Sequence, residues 1–178
     1  GTVAGARNLI SGNTGAGVLL TGGSGNSVQG NSIGTNLAQA AGIPNLVGVS
    51  IGQATNNSIG GAVAGAANLI AFNTQAGVAV ASGTGNLIRG NSIFGNATST
   101  GALGIDLGVN GVTANDPCDS DSIGGNLQQN FPVLTNAISG GSATRIQGAL
   151  DSTANGTFLL QFYANTVVAG SGYGEGKI

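Results

Sequence analysis

The 178-residue chain has no histidine, tryptophan or methionine, one cysteine, three prolines, and only four basic and six acidic side chains. Each shortage excludes a class of function. The four cations, Arg7, Arg89, Arg145 and Lys177, are scattered along the sequence, so no basic patch is expected for phosphates. Two Tyr and five Phe leave little surface on which bases could stack, and nucleic acid is set aside as a partner. No run of about 18 apolar residues occurs and no leader-like start is recognisable, so no membrane insertion is expected from these residues. Cys118 stands alone and cannot form a disulfide within the chain, which removes the small disulfide-stapled class.

What is abundant is glycine, 35 residues of it, together with Asn, Ser, Thr and Ala. Such a mixture would read as low complexity, except that Val, Ile and Leu return at regular places between the Gly and Asn. Laying 61–96 over 1–36 makes about 21 of 36 positions identical without a gap, so the chain is internally duplicated. Within the duplication, three kinds of short strand follow one another. One kind is Asn26-Ser27-Val28, Asn57-Ser58-Ile59 and Asn86-Leu87-Ile88. The next is Asn8-Leu9-Ile10, Asn31-Ser32-Ile33, Asn68-Leu69-Ile70 and Asn91-Ser92-Ile93. The third opens on Gly and a β-branched residue, at Gly17-Val18, Gly48-Val49, Gly77-Val78 and Gly104-Ile105. One turn of a coil then takes about 30 residues, with a short loop at Thr14–Ala16 in one turn and a long one at Gly34–Val47 in the next.

Neighbouring residues of a strand face opposite sides, so Val18 with Leu20, Val49 with Ile51, Val78 with Val80 and Ile105 with Leu107 should all point inward. Turns stacked about 4.8 Å apart would arrange them in columns. Asn26, Asn57 and Asn86 at one corner, and Asn8, Asn31, Asn68 and Asn91 at another, should pass amide hydrogen bonds from turn to turn as asparagine ladders. The alternative reading of these corners is that Asn and Gly simply tolerate left-handed geometry. After Leu107 the rhythm breaks. The expected organisation is all-β: a right-handed, three-faced parallel β-helix of about four turns over 1–114, an acidic junction loop over 115–130, and a partial antiparallel β-sandwich over 131–178. In the last part Val133–Ile138, Thr144–Leu150 and Thr157–Ala164 read as strands, fewer than the seven or so a sandwich needs.

These residues resemble the right-handed parallel β-helix repeat proteins of bacterial secretions and surfaces. The resemblance rests on Asn57-Ser58-Ile59-Gly60-Gly61, Gly65-Ala66-Ala67-Asn68-Leu69-Ile70, Gly85–Ile93, Gly104-Ile105-Asp106-Leu107 and Leu127-Gln128-Gln129-Asn130-Phe131-Pro132. It implies an extracellular or cell-surface location and an immunoglobulin-like segment after the coil. Carbohydrate is the substrate class it implies, because the same coil carries polysaccharide lyases, epimerases and phage tailspikes.

A lyase or epimerase on this scaffold needs a base and a cation to stabilise carbanion-like charge, and here there is no His and the Arg are dispersed. Arg89 replaces Gln29 of the preceding repeat and reads as an outer-face residue. A glycosidase pair would have to combine Asp106 with one of the loop aspartates. The sharper feature is the loop itself: Asn115, Asp116, Asp119 and Asp121 form an oxygen-rich set suited to calcium in a structural role, although short Asp runs also occur as plain turn formers. The expected function is a non-catalytic structural or adhesive module, joined to neighbouring domains or stacked end to end with identical copies into filaments. The alternative is a carbohydrate-binding or polysaccharide-processing module.

Overall fold

A computed structural model of the chain describes residues 1–3, 5–96, 102–166 and 172–177. Eleven short strands precede residue 108: β1 (Leu9–Ile10), β2 (Ala16–Thr21), β3 (Ser27–Val28), β4 (Ser32–Ile33), β5 (Val47–Gly52), β6 (Ser58–Gly60), β7 (Leu69–Ala71), β8 (Val78–Val80), β9 (Leu87–Arg89), β10 (Ser92–Phe94) and β11 (Ile105–Leu107). They pair in parallel as three sheets, β1-β4-β7-β10, β2-β5-β8-β11 and β3-β6-β9. Each strand lies on the one three positions earlier in the chain. The fold is a parallel β-helix of four turns.

Strands of two or three residues cannot hold themselves together, so register has to come from the interior. Val18, Val49, Val78 and Ile105 are successive partners across the second sheet, and so are Leu20, Ile51, Val80 and Leu107. Ile10, Ile33, Ile70 and Ile93 stack in the first sheet, and Val28, Ile59 and Ile88 in the third. Ile33, Val49, Ile51, Ile59, Ile70, Val78 and Val80 have no solvent exposure and belong to one core. A slip of one residue would turn each column to the outside, so the aliphatic pattern helps to hold the turns in phase.

Three asparagine ladders line the corners, one more than the sequence pattern indicates. In the first, the Nδ2 of Asn26 donates to Asn57 Oδ1 at 2.9 Å and that of Asn57 to Asn86 Oδ1 at 2.8 Å. Asn126 continues it, its Oδ1 accepting from Asn86 Nδ2 at 3.3 Å. Asn8, Asn31, Asn68 and Asn91 make the second, with steps of 2.9, 3.1 and 3.0 Å. The third runs through Asn13, Asn45, Asn73 and Asn96 at 2.8, 2.9 and 2.8 Å. It was hidden because the 60-residue duplication aligns Asn96 with Asn36, whereas the long loop moves the rung to Asn45. Asn36 instead caps that loop, its Oδ1 accepting the N–H groups of Ala40 and Ala41.

The glycine just ahead of the inward-facing valine in the first three strands of the second sheet packs against this third ladder. A Cβ on Gly17, Gly48 or Gly77 would stand 2.9, 2.9 or 3.0 Å from the Nδ2 of Asn45, Asn73 or Asn96. Any larger residue would push the amide off its partner.

Beyond the coil, residues 125–128 make a tight turn in which Asn126 and Leu127 adopt left-handed φ, and this turn positions the last rung of the first ladder. Then β12 (Val133–Gly140) and β13 (Ala143–Ala149) form an antiparallel hairpin. The strand expected over Thr157–Ala164 is absent. Its residues turn toward the end of the coil instead, where Gln161 Oε1 accepts the N–H of Gly90 at 3.0 Å. All eight residues of β12 are exposed, because among the described residues no second sheet covers either face. Residues 167–171 and 178 of the expected sandwich segment lie outside the described chain.

Position in a ladder sets the cost of losing a rung. Asn68 is 1% exposed and joins Asn31 to Asn91, whereas Asn8 is exposed and touches one neighbour only. Asn68→Ala strands buried donors on Asn31 and should lower stability by about 2–4 kcal/mol, against less than about 1 kcal/mol for Asn8→Ala. Urea unfolding followed by circular dichroism measures the difference.

Candidate functional site

The acidic loop is placed at the junction between coil and hairpin, and its groups face the chain that follows. Asn115 uses both amide atoms on Phe131: Nδ2 donates to the carbonyl at 2.8 Å and Oδ1 accepts the N–H at 3.0 Å. Asp119 uses both oxygens too, accepting the N–H of Asn130 at 2.8 Å and the hydroxyl of Ser152 at 2.8 Å. Asn130, 4% exposed, is the centre of the knot. Its Oδ1 accepts the N–H of Asp116, and its Nδ2 donates to the carbonyls of Asp116 and Asp151 at 2.7 and 2.9 Å. The N–H of Cys118 donates to Asp151 Oδ1, and the exposed Cys118 thiol is free.

Asp116 is held locally. Its Oδ2 accepts both the hydroxyl and the N–H of Ser120, the latter at 2.9 Å. The Ser120 hydroxyl is the main reason that the Asp116 carboxyl lies below the usual carboxylate range; partial burial opposes the shift without reversing it. The other oxygen, Oδ1, is shielded from solvent and accepts no hydrogen bond. Asp121 is half-buried and takes no part in the knot. Of the four residues expected to gather round a cation, then, Asn115 and Asp119 are committed to protein donors. Asp116 keeps one bare oxygen, and Asp121 keeps its carboxylate. Among the described residues, no three His, Cys, Asp or Glu side chains are grouped to hold a metal ion.

Asp106 lies apart from that loop. It sits at the centre of β11, paired with Ala79 of β8, on the outer side of the second sheet, and is 7% exposed. The chain after β11 folds back over it, so that Gly111 N–H donates to Oδ2 at 3.2 Å while Oδ1 has no partner. Its hydrogen bonding is with 111, and that of the loop aspartates is with 120, 130 and 152, so no shared contact joins them as an acid–base pair. Arg89 ends β9 and Arg145 lies on the exposed hairpin, in separate elements. A shallow groove of about 340 Å³ lies between corner loops, lined by Asn13, Thr14, Pro44 and Leu46 among others, without a charged or aromatic side chain.

No protein-family model, curated protein or solved structure matches this chain. Its fold is read from its own registers and ladders.

The knot's central residues, Asn130, Asp151 and Ser152, were missed by sequence reading. Their partners are 11 to 33 residues away, and nothing in their local pattern sets them apart. A carboxyl whose folded pKa is depressed adds stability that is present above its unfolded value, about 3.9, and is lost as pH falls through the folded value. Carbon-detected NMR titration should find Asp116 titrating below the ordinary carboxylate value, and Ser120→Ala should return it toward that value.

Proposed function

We propose that this chain is a non-catalytic structural or adhesive β-helix module of a secreted or cell-surface protein, working as a rigid stalk or matrix element. The observation that carries this reading is where the chemistry of the sequence is spent. The buried asparagines of the coil, from Asn31 to Asn96, are rungs of continuous ladders, and the aliphatic residues form columns. A solenoid stiffened in this way transmits force along its axis through turn-to-turn contacts, each turn touching only its neighbours.

The groups that polysaccharide cleavage requires are dispersed. Asp106, Arg89 and the loop aspartates belong to different elements, and the groove at Pro44 offers no aromatic platform for a sugar ring. The expected outcome on a glycan array, and on incubation with uronate polysaccharides, is no binding and no product. Retention of an acidic or neutral glycan, abolished by changes on one outer face, would replace this reading with the carbohydrate-binding one.

A structural calcium ion at the junction belongs to the same proposal. Asp116 Oδ1, shielded and unpartnered, and the Asp121 carboxylate would supply its anionic oxygens. Asn115 and Asp119 would join only by releasing Phe131, Asn130 and Ser152. Carbonyls and water would have to complete the six to eight oxygens that calcium takes. Millimolar calcium should raise the melting temperature and a chelator lower it again, with both effects lost in Asp116→Asn/Asp121→Asn; identical melting curves would remove the ion.

A further inference from the structure

Asp106 carries a carboxylate oxygen that the fold shields and leaves unmatched. The side chain is 7% exposed on the outer side of the second sheet, and the residues that precede it in the same row, Leu19, Ser50 and Ala79, are uncharged. Oδ2 accepts the N–H of Gly111 at 3.2 Å, whereas Oδ1 is closed off from solvent and has no donor. A carboxylate taken out of water is ordinarily matched by an opposite charge or by a metal ion. The cations of the chain are placed elsewhere. Arg7 precedes β1, Arg89 ends β9, Arg145 lies on the hairpin, and Lys177 Nζ stands 4.8 Å from the centre of the Phe94 ring.

Two amides close on the chain next to this oxygen. Gly108, two residues after Asp106, has a φ of 101°, and a Cβ there would meet Asn110 Oδ1 at 3.0 Å and Gln128 Nε2 at 2.6 Å. Glycine is therefore required twice over, by the backbone conformation and by the amides packed against its bare face. Asn110 comes from the loop that covers Asp106, and Gln128 from the tight turn at 125–128. The carbonyl carbon of Asn110 is bonded to the Gly111 nitrogen that contacts Oδ2, which puts the Asn110 Cα within about 6 Å of the carboxylate. Asn110 Oδ1 receives only a long contact from the Thr113 hydroxyl, at 3.4 Å. A half-turn of the Gln128 amide presents Oε1 where Nε2 stands, since the two orientations have the same shape.

We propose that Asp106, Asn110 and Gln128 hold a calcium ion that fastens the loop after β11 and the turn at 125–128 to the second sheet. Asp106 Oδ1 supplies the anionic oxygen, Asn110 Oδ1 and Gln128 Oε1 supply neutral ones, and backbone carbonyls and water complete the six to eight that calcium takes. With one carboxylate the site is weak, in the range of about 0.1–1 mM found for extracellular calcium modules. A search for clustered acids passes over it, because two of its three side chains are amides. The inference goes beyond the structural reading above and uses none of the junction aspartates.

The test is a calcium titration of the nitrogen-15-labelled chain carrying Asp116→Asn/Asp121→Asn, which takes away the anionic oxygens proposed at the junction. The amide resonances of Gly108, Asn110 and Gly111 should shift and saturate with a midpoint of about 0.1–1 mM, and the melting temperature should rise. Magnesium, which demands a stricter octahedron and gives up its water reluctantly, should have the smaller effect. Asp106→Asn keeps the shape and drops the charge, so it should abolish both responses; Asn110→Leu should weaken binding and leave the fold intact by circular dichroism. Absence of a saturable shift overturns the proposal, as does a shift that survives Asp106→Asn in a folded variant. Equal shifts with sodium chloride at matched ionic strength overturn the assignment to calcium. A glycan-array result bears on the structural reading alone, and the junction ion is already removed from this titration, so each can fail separately.

Discussion

One oxygen accepting two hydrogen bonds is the constraint on which this coil depends. The ladder asparagines of the second to fourth turns are buried, and each Oδ1 accepts the side-chain Nδ2 of the turn before and, at every one but Asn31, its backbone N–H as well. A corner in a tightly wound coil leaves backbone groups facing inward with no strand partner, and an unmet buried donor costs about 1–3 kcal/mol. The amide meets that need at every turn and carries no charge. It also ties each turn to the next in one direction only, which gives the coil two chemically different ends.

The same stacking accounts for the odd composition. Turns in register bring equivalent positions of successive repeats to within about 4.8 Å, so a charged residue repeated at one position would face its own copy. Amides, hydroxyls, glycine and aliphatic residues can be stacked on themselves without such repulsion. Ionisable side chains accordingly gather where stacking stops: Asp106 on the last strand of its sheet, Asp116, Asp119 and Asp121 at the junction, Glu175 and Lys177 on the tail. At the junction the amides of Asn115 and Asn130 change role, from linking like turns to anchoring an unlike segment.

The aliphatic columns and two of the ladders were legible in the linear pattern because their spacing follows the two-turn repeat. Asn26, Asn57 and Asn86 sit at nearly equal intervals, and Asn8 and Asn68 are one repeat apart. The third ladder was not, since the long loop replaces Asn36 by Asn45 and breaks the interval. The acidic loop was legible as a cluster of oxygens. Its actual use was not: whether a carboxylate is free or tied depends on Asn130 and Ser152, which only the chain's return brings near. Thr157–Ala164 shows the opposite failure, a strand-like pattern that finds no edge to pair with.

The sequence by itself determined the winding, because a periodic arrangement of apolar and amide residues has one register that buries the former and satisfies the latter. The tertiary structure decided how the winding ends. Asn126 completing the first ladder, Glu175 completing the third, and the knot at Asn130 all join residues 11 to 79 positions apart. Such contacts have no period to reveal them. They exist only once the coil has formed the edge on which they close.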